Sequence, residues 1–215
     1  MKRTGFWYSF KEALHTIGLR YVARKNKGFG HMGVDSFIHT PNLVSKQTEN
    51  IYFGDHVNID WNSVLYVDGA KFVMKDYSGA SVGFTVVNNN HVTLPGETIK
   101  DKGNDNLVGR DVIVEEDVWI AANVTLLAGS HIGRGAIVGA GSVVAGKKIP
   151  PYAIVMGNPC KVVGFRFTPD EVLEHERIRY KEEERIPEDL LRSNYDKYYY
   201  KCRKEIKKFL NIKIS

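Results

Sequence analysis

A strand-like run, 84–87, stops in Asn88, Asn89, Asn90 and His91, and a Pro-Gly turn follows at Pro95. A histidine at the mouth of a loop can do one piece of chemistry well. Its side chain titrates near neutral pH, so it can take a proton from a hydroxyl as that oxygen attacks an electrophile. The plainer role is a histidine that closes a turn through its ring nitrogens. Position alone leaves the two open. Further on, Lys147, Lys148 and Lys161 could neutralise phosphates, or form a solvated corner.

Metal chemistry has less to work with. The other histidines are 15, 31, 39, 56, 131 and 175, spread along the chain. A catalytic zinc site of the carbonic anhydrase kind needs three converging imidazoles and a water. Only His91 and His131 lie in suitable segments, so no metal is expected.

What positions these residues is a repeat. Cut in sixes, residues 108–149 read VGRDVI, VEEDVW, IAANVT, LLAGSH, IGRGAI, VGAGSV, VAGKKI. The first position is Val108, Val114, Ile120, Leu126, Ile132, Val138 and Val144, aliphatic every time. The fifth is Val112, Val118, Val124, Ser130, Ala136 and Ser142, small or β-branched. A period of six fits neither a helix nor simple strand alternation. It fits a β-helix that turns a corner every six residues, so the same position always faces inward. Successive coils then stack at the inter-strand spacing of about 4.8 Å. Upstream, "FGDHVN", "IDWNSV" and "LYVDGA" keep phase from Phe53, Ile59 and Leu65, and the phase shifts near Lys71. The reading is continuous coils over 34–91. Residues 92–107 carry Pro-Gly and Gly-Asn breakers and read as an extruded loop. Loops of that length are usually functional or disordered. Asn88, Asn89 and Asn90 suit left-handed backbone at the corner before it.

The ends differ from the middle. Seven Lys or Arg fall in residues 1–27 against Glu12, and seven more in 196–215 against Asp196 and Glu205. Basic ends on an acidic body argue against nucleic acid. Phe6, Trp7, Phe10, Leu14, Ile17 and Tyr21 recur at helical steps, so 1–33 is expected to form an amphipathic helical segment. It either docks on the protein's own body or makes peripheral contact with an anionic membrane. Cys160 and Cys202 make no disulfide framework and suit a reducing compartment. No run approaches the roughly 20 apolar residues of a membrane span. Thr168 reads as a helix N-cap with Pro169 at the first turn, and Pro187 opens a second helix. The stretch "KYYYKCRKEIKK" reads as a helix that packs its tyrosines on a neighbouring subunit. The expected fold is therefore an all-β core, a parallel β-helix over 34–166, with an N-terminal helix and C-terminal α-helices in 167–215.

Three stretches resemble the hexapeptide-repeat acetyltransferases: "DVWIAANVTLLAGSHIGRGAIVGAGSVV", "IPPYAIVMGNPCKVV" and the Asn-His at 90–91 before a loop. The likeness is greatest to the galactoside, maltose and streptogramin branch, which includes polysaccharide O-acetyltransferases. The resemblance implies a left-handed coil, a homotrimer with sites between subunits, and acetyl-CoA as co-substrate. It implies His91 as general base, with direct transfer to a hydroxyl of a sugar or surface-polysaccharide precursor. It carries acceptor contacts to Asn62, Asp68, Asn90 and Trp119. It carries cofactor contacts to Ala122, Ala140, Ala145, Gly146 and Lys161, with Lys147 near the phosphates. Arg166 stands for an arginine that relatives carry slightly earlier. Ala121 departs from the family's usual Gly, and "VVAGKKIPP" is one residue longer than the family pattern. A cytoplasmic site, at the inner face of the membrane if the N-terminal helix binds lipid, fits this reading. A drug-modifying acetyltransferase, an amino-sugar N-acetyltransferase and a trimeric scaffold without activity are the rival readings.

Overall fold

A computed structural model describes residues 28–39, 42–43, 47–99 and 107–200, with Phe10, Ala13 and Leu14 before them. Those three are helical. Residues 28–33 of the expected N-terminal helical segment are not helical, because His31–Met32 already forms the first strand of the coil. The other residues of that segment and the tail 201–215 lie outside the described residues.

The chain winds into a three-sided parallel β-helix. The first face stacks His31–Met32, Ile51–Phe53, Phe72–Met74, Val112–Val114, His131–Ile132 and Lys148–Ile149. The second stacks Phe37–Ile38, Asn58–Ile59, Gly79–Ala80, Trp119–Ile120, Ile137–Val138 and Ala153–Met156. Lys161–Phe165 closes its end as an antiparallel strand. The third stacks Asn42–Leu43, Val64–Tyr66, Thr85–Val87, Thr125–Leu127 and Val143–Val144.

The six-residue period does what the pattern predicts from Val114 onward. Val114, Ile120, Leu126, Ile132, Val138 and Val144 are fully buried. The fifth-position residues are buried too, including two serines. Those serines are satisfied inside the coil. Ser130 Oγ donates to the carbonyls of Leu127 and Val144, at 2.6 and 2.8 Å. Ser142 Oγ donates to Gly139 O at 2.6 Å and accepts from Gly157 N at 3.0 Å. A buried hydroxyl paired in this way avoids the desolvation cost of an orphan. Val108 is the exception. It is exposed and sits in a strand, Leu107–Gly109, that pairs antiparallel with Asn89–His91. The repeat phase runs back into that hairpin by coincidence of composition.

Length varies at one corner only, apart from a single residue in the first coil. From the first face to the second, and from the second to the third, inward residues step by six: Phe53, Ile59, Leu65, or Val114, Ile120, Leu126. From the third face back to the first the step changes. Leu65 to Met74 takes nine residues, Val86 to Val114 takes 28, and Leu126 to Ile132 takes six. The early coils are therefore wider, and phenylalanines fill them. Phe29, Phe53, Phe72 and Phe84 contact one another in series at ring separations of 5.6, 5.9 and 6.1 Å. The late coils hold only aliphatic and small residues.

Two helices pack on the first–second corner: α1, Pro169–Arg179, and α2, Glu188–Asn194. Helix α1 begins with the capping box expected of Thr168, whose side chain accepts from Glu171 N while Glu171 caps Thr168 N. Buried Glu176 pins the helix. It accepts from Arg134 Nη1 at 3.2 Å, from Ile186 N at 2.9 Å and from the Tyr152 hydroxyl. Burial and the Glu176 carboxylate both push the Tyr152 phenol far above its ordinary range. Of the tyrosines expected to face a neighbouring subunit, Tyr198 and Tyr199 pack partly against their own chain's core and Tyr200 is exposed. Tyr195, just before them, stacks on Phe165 at 4.3 Å and donates to Phe167 O at 2.9 Å.

Candidate active site

His91 is exposed, at the end of a short hairpin strand on the third–first corner. The register pairs Asn89 with Gly109, Asn90 with Val108 and His91 with Leu107. Opposed residues of an antiparallel pair share a face. His91 thus lies on the Asn89–Gly109 side of the hairpin, while Asn90 and Val108 take the other side. Gly109 shows where the first side looks. A Cβ there would lie 2.7 Å from the carbonyl carbon of Gly69 and 2.8 Å from Cβ of Ala70. Only glycine lets the hairpin lie this close to the preceding corner.

Asn88 holds the two corners together. Its side chain is fully buried, accepts from Asp68 N at 2.9 Å and donates to Ala70 O at 2.8 Å. Its carbonyl accepts from Arg110 N at 2.9 Å. None of the three asparagines takes left-handed backbone. The expectation that they would is corrected: Asn88 is kept by its amide, which replaces the ladder hydrogen bonds that a nine-residue corner cannot make. Sequence reasoning missed this role, because its partners lie 18 and 20 residues away.

The remaining candidates fall in three places. Asp68 stands at the wide corner below His91, half-buried, and its carboxylate has no partner among the described residues. Asn62 and Trp119 are elsewhere. Asn62 takes φ +59° at the second–third corner, in a column with Gly83, Asn123 and Gly141. Trp119 points outward from the second face and is 47% exposed. It lies over Gly79, where a Cβ would be 3.1 Å from its ring. The second face is opposite the third–first corner of a triangular prism, so one chain does not bring Trp119 to His91.

The cofactor candidates border the third face. Ala122 and Ala140 stack on the second–third corner, where Gly141 N donates to Ala122 O at 2.9 Å. Ala145, Gly146 and Lys147 form the last third–first corner and are exposed. Lys147 Nζ reaches across the end of the face to Cys160 O at 3.3 Å, and Lys161 follows. Arg166 is not with them. It lies at the first–second corner, paired with Asp117 at 2.6 Å, with Phe167 under its guanidinium. Lys148 faces outward on the first face beside His131. His131 pairs with Glu115 at 2.8 Å. Burial pulls the Lys75 ammonium down, but Glu115 and Glu116 outweigh it and hold its pKa above normal. Among the described residues no group of three or more metal-binding side chains converges.

Cys160 is buried, and burial pushes its thiol up. A thiol held protonated is a poor nucleophile. The arrangement offers an exposed imidazole at a corner, small residues along the two edges of the third face and two lysines near its end.

The family described as Bacterial transferase hexapeptide (six repeats) matches residues 111–146. A hexapeptide-repeat acetyltransferase of Vibrio cholerae, solved with acetyl coenzyme A, is 27% identical. The match covers 69% of this chain and 77% of that one, with a TM-score of 0.58. The chain carries the hexapeptide-repeat acetyltransferase fold. A maltose O-acetyltransferase of Clostridium difficile 630 is 25% identical over 69% of this chain and 75% of its own, with a TM-score of 0.57. A galactoside acetyltransferase in complex with coenzyme A covers 82% of this chain and 88% of its own, with a TM-score of 0.60. At 19% identity it speaks for the fold alone. No curated protein sequence matches. No helix among the described residues is long and apolar enough to cross a membrane.

Proposed function

We propose that this protein is an acetyl-CoA-dependent acetyltransferase that acts on a hydroxyl of a sugar or surface-polysaccharide precursor. The observation that carries the reading is the one long insertion in the coil. It falls at a single corner and presents His91, exposed, on a hairpin locked by Asn88. The Vibrio cholerae relative solved with acetyl coenzyme A supports the donor. The maltose enzyme supports a carbohydrate acceptor.

In this mechanism the acceptor hydroxyl hydrogen-bonds to the His91 imidazole. The imidazole takes the proton as the hydroxyl oxygen attacks the thioester carbonyl; the C–S bond then breaks, and the departing CoA thiolate takes that proton back from the imidazolium. No acyl-enzyme is formed. Asp68, at the corner below His91, orients the acceptor, and Asn90, on the other side of the hairpin, reaches an acceptor only at a neighbouring chain's site. Ala122, Ala140, Ala145 and Gly146 let the pantetheine arm lie against backbone, and Lys147 and Lys161 meet the phosphates. A base of this kind contributes about 10²–10⁴ in rate.

The protein works as a homotrimer. His91 on a corner and Trp119 on the opposite face meet at one acceptor only if a second chain supplies one of them. Asn62, on a third edge, would likewise come from a neighbour. The test is release of CoA thiol from acetyl-CoA against a panel of sugar hydroxyl acceptors, with calorimetry of acetyl-CoA binding beside it. The reading expects three sites per trimer and turnover with a sugar. Absence of binding at millimolar acetyl-CoA would return the fold to a scaffold.

A further inference from the structure

The structure separates two arginines that a sequence reading would not rank in this order. Arg166, an expected cofactor contact, pairs with Asp117 at the first–second corner, away from the other cofactor candidates of the same chain. Arg110 was not singled out, yet it stands on the corner that carries Ala145, Gly146 and Lys147.

Its main chain is fixed where the His91 hairpin rejoins the coil, through Arg110 N donating to Asn88 O at 2.9 Å. From there the side chain runs along the corner past two further coils. A Cβ on Gly129 would lie 3.3 Å from Arg110 Cζ and Nε. A Cβ on Gly146 would lie 3.5 Å from Arg110 Nη2. The guanidinium is therefore laid over two glycines in successive coils, Gly129 at φ +80° and Gly146 at φ +59°. A Cβ on Gly129 would crowd it by a few tenths of an ångström, and one on Gly146 would just touch it.

The guanidinium is also unspent. Arg110 is exposed, and its side chain has no hydrogen-bond or ion-pair partner among the described residues. The neighbouring carboxylate, Asp111, is turned away to accept from Lys71 N at 2.8 Å. Lys147 meets only a carbonyl oxygen, and Lys161 has no carboxylate partner among the described residues. Arg110 lies beside Gly146, Lys147 follows that glycine in the chain, and Lys161 opens the strand that closes the second face. A planar fork without a carboxylate partner is suited to grip a phosphate bidentately.

We infer that Arg110 binds the phosphates of the CoA donor, together with Lys147 and Lys161. This rests on the acetyltransferase reading and adds to it a residue that joins the hairpin of the base to the cofactor channel. The arm of CoA would then be held at its charged end by the same segment that presents His91 at its reacting end.

The experiment is calorimetric binding of CoA to the full chain and to Arg110→Gln and Arg110→Lys, at low and high salt. Pantetheine, which has no phosphate, serves as a competitor. Arg192→Gln, an equal loss of charge on an exposed helix, is the control. Thermal midpoints establish that each variant is folded. The expected result is a loss of about tenfold or more in CoA affinity for Arg110→Gln at low salt. The loss shrinks at high salt because the contact is screened. Arg110→Lys recovers part of it, and pantetheine competes equally with both proteins. Unchanged CoA affinity in Arg110→Gln would overturn the inference and leave the acetyltransferase reading standing. An equal loss for pantetheine, or a loss indifferent to salt, would overturn it as well. A wild-type protein that binds no CoA would remove the acetyltransferase reading first.

Discussion

Before His91 a coil takes 21 residues, as from Phe53 to Met74; after it a coil takes 18, as from Val114 to Ile132, and then 17 to Ile149. The early coils spend the extra length at the third–first corner, fill the added width with phenylalanine and plug the gap with the Asn88 amide. The late coils spend nothing there, and their corner is built of small residues, among them Gly129 and Gly146, beside which the Arg110 side chain lies. His91 stands where the first kind of coil gives way to the second. A wide corner can carry an insertion without disturbing the stack, and a corner of small residues lets other groups come close to the backbone. On the proposed reading, the contrast between the two halves is also a division of labour between acceptor and donor.

The contrast can be broken most severely through the early core. Phe72→Ala should cost about 3–5 kcal/mol in denaturant unfolding, because the wide coil cannot collapse onto the space. Val138→Ala, in the late coils, removes two buried methyl groups and should cost about 1.5 kcal/mol. Equal costs would say that the two halves pack alike. Asn88→Ala comes next, at about 1–1.5 kcal/mol, since it removes the partner of Asp68 N and Ala70 O at a half-buried corner. It should also lower turnover through His91 while leaving CoA binding near that of the wild type. A variant that loses CoA binding equally would erase the distinction between the acceptor and donor halves.

The smallest effect concerns the helices that cover the first–second corner. Burial pushes the Glu116 carboxyl up, but a backbone N–H, Lys75 and Arg134 together outweigh it and keep it below its ordinary 4.5. A depressed folded value adds stability above the unfolded value, and that stability is lost as pH falls through the folded one. Stability should therefore decline below about pH 4.5, and Glu116→Gln should flatten that decline. An acid limb identical in both proteins would remove Glu116 from the dock.

Much of this was legible in the chain, for a physical reason. A coil with six-residue sides puts one inward residue in each hexad, so the late half prints its fold directly: Val114, Ile120, Leu126 and their successors need no partner to be read. His91 was legible because a strand halts there and a loop begins. The early half was blurred because nine-residue corners break the phase after Leu65, and nothing local says which residues are extra. Val108 was misread because an aliphatic in a hairpin keeps the same phase as one in the core. Asn88 and Arg110 were missed for the opposite reason. Their roles are set by residues one or two coils away, at separations that only the stack defines.

The central claim is that the corner insertion presents His91 as the base for transfer from acetyl-CoA. The most direct measurement is acetyl transfer by His91→Ala beside the wild type, with acetyl-CoA affinity and thermal midpoint recorded for both. The account predicts a fall in kcat of about 10²–10⁴, with affinity and midpoint unchanged. Full turnover by His91→Ala would contradict it, whatever the acceptor.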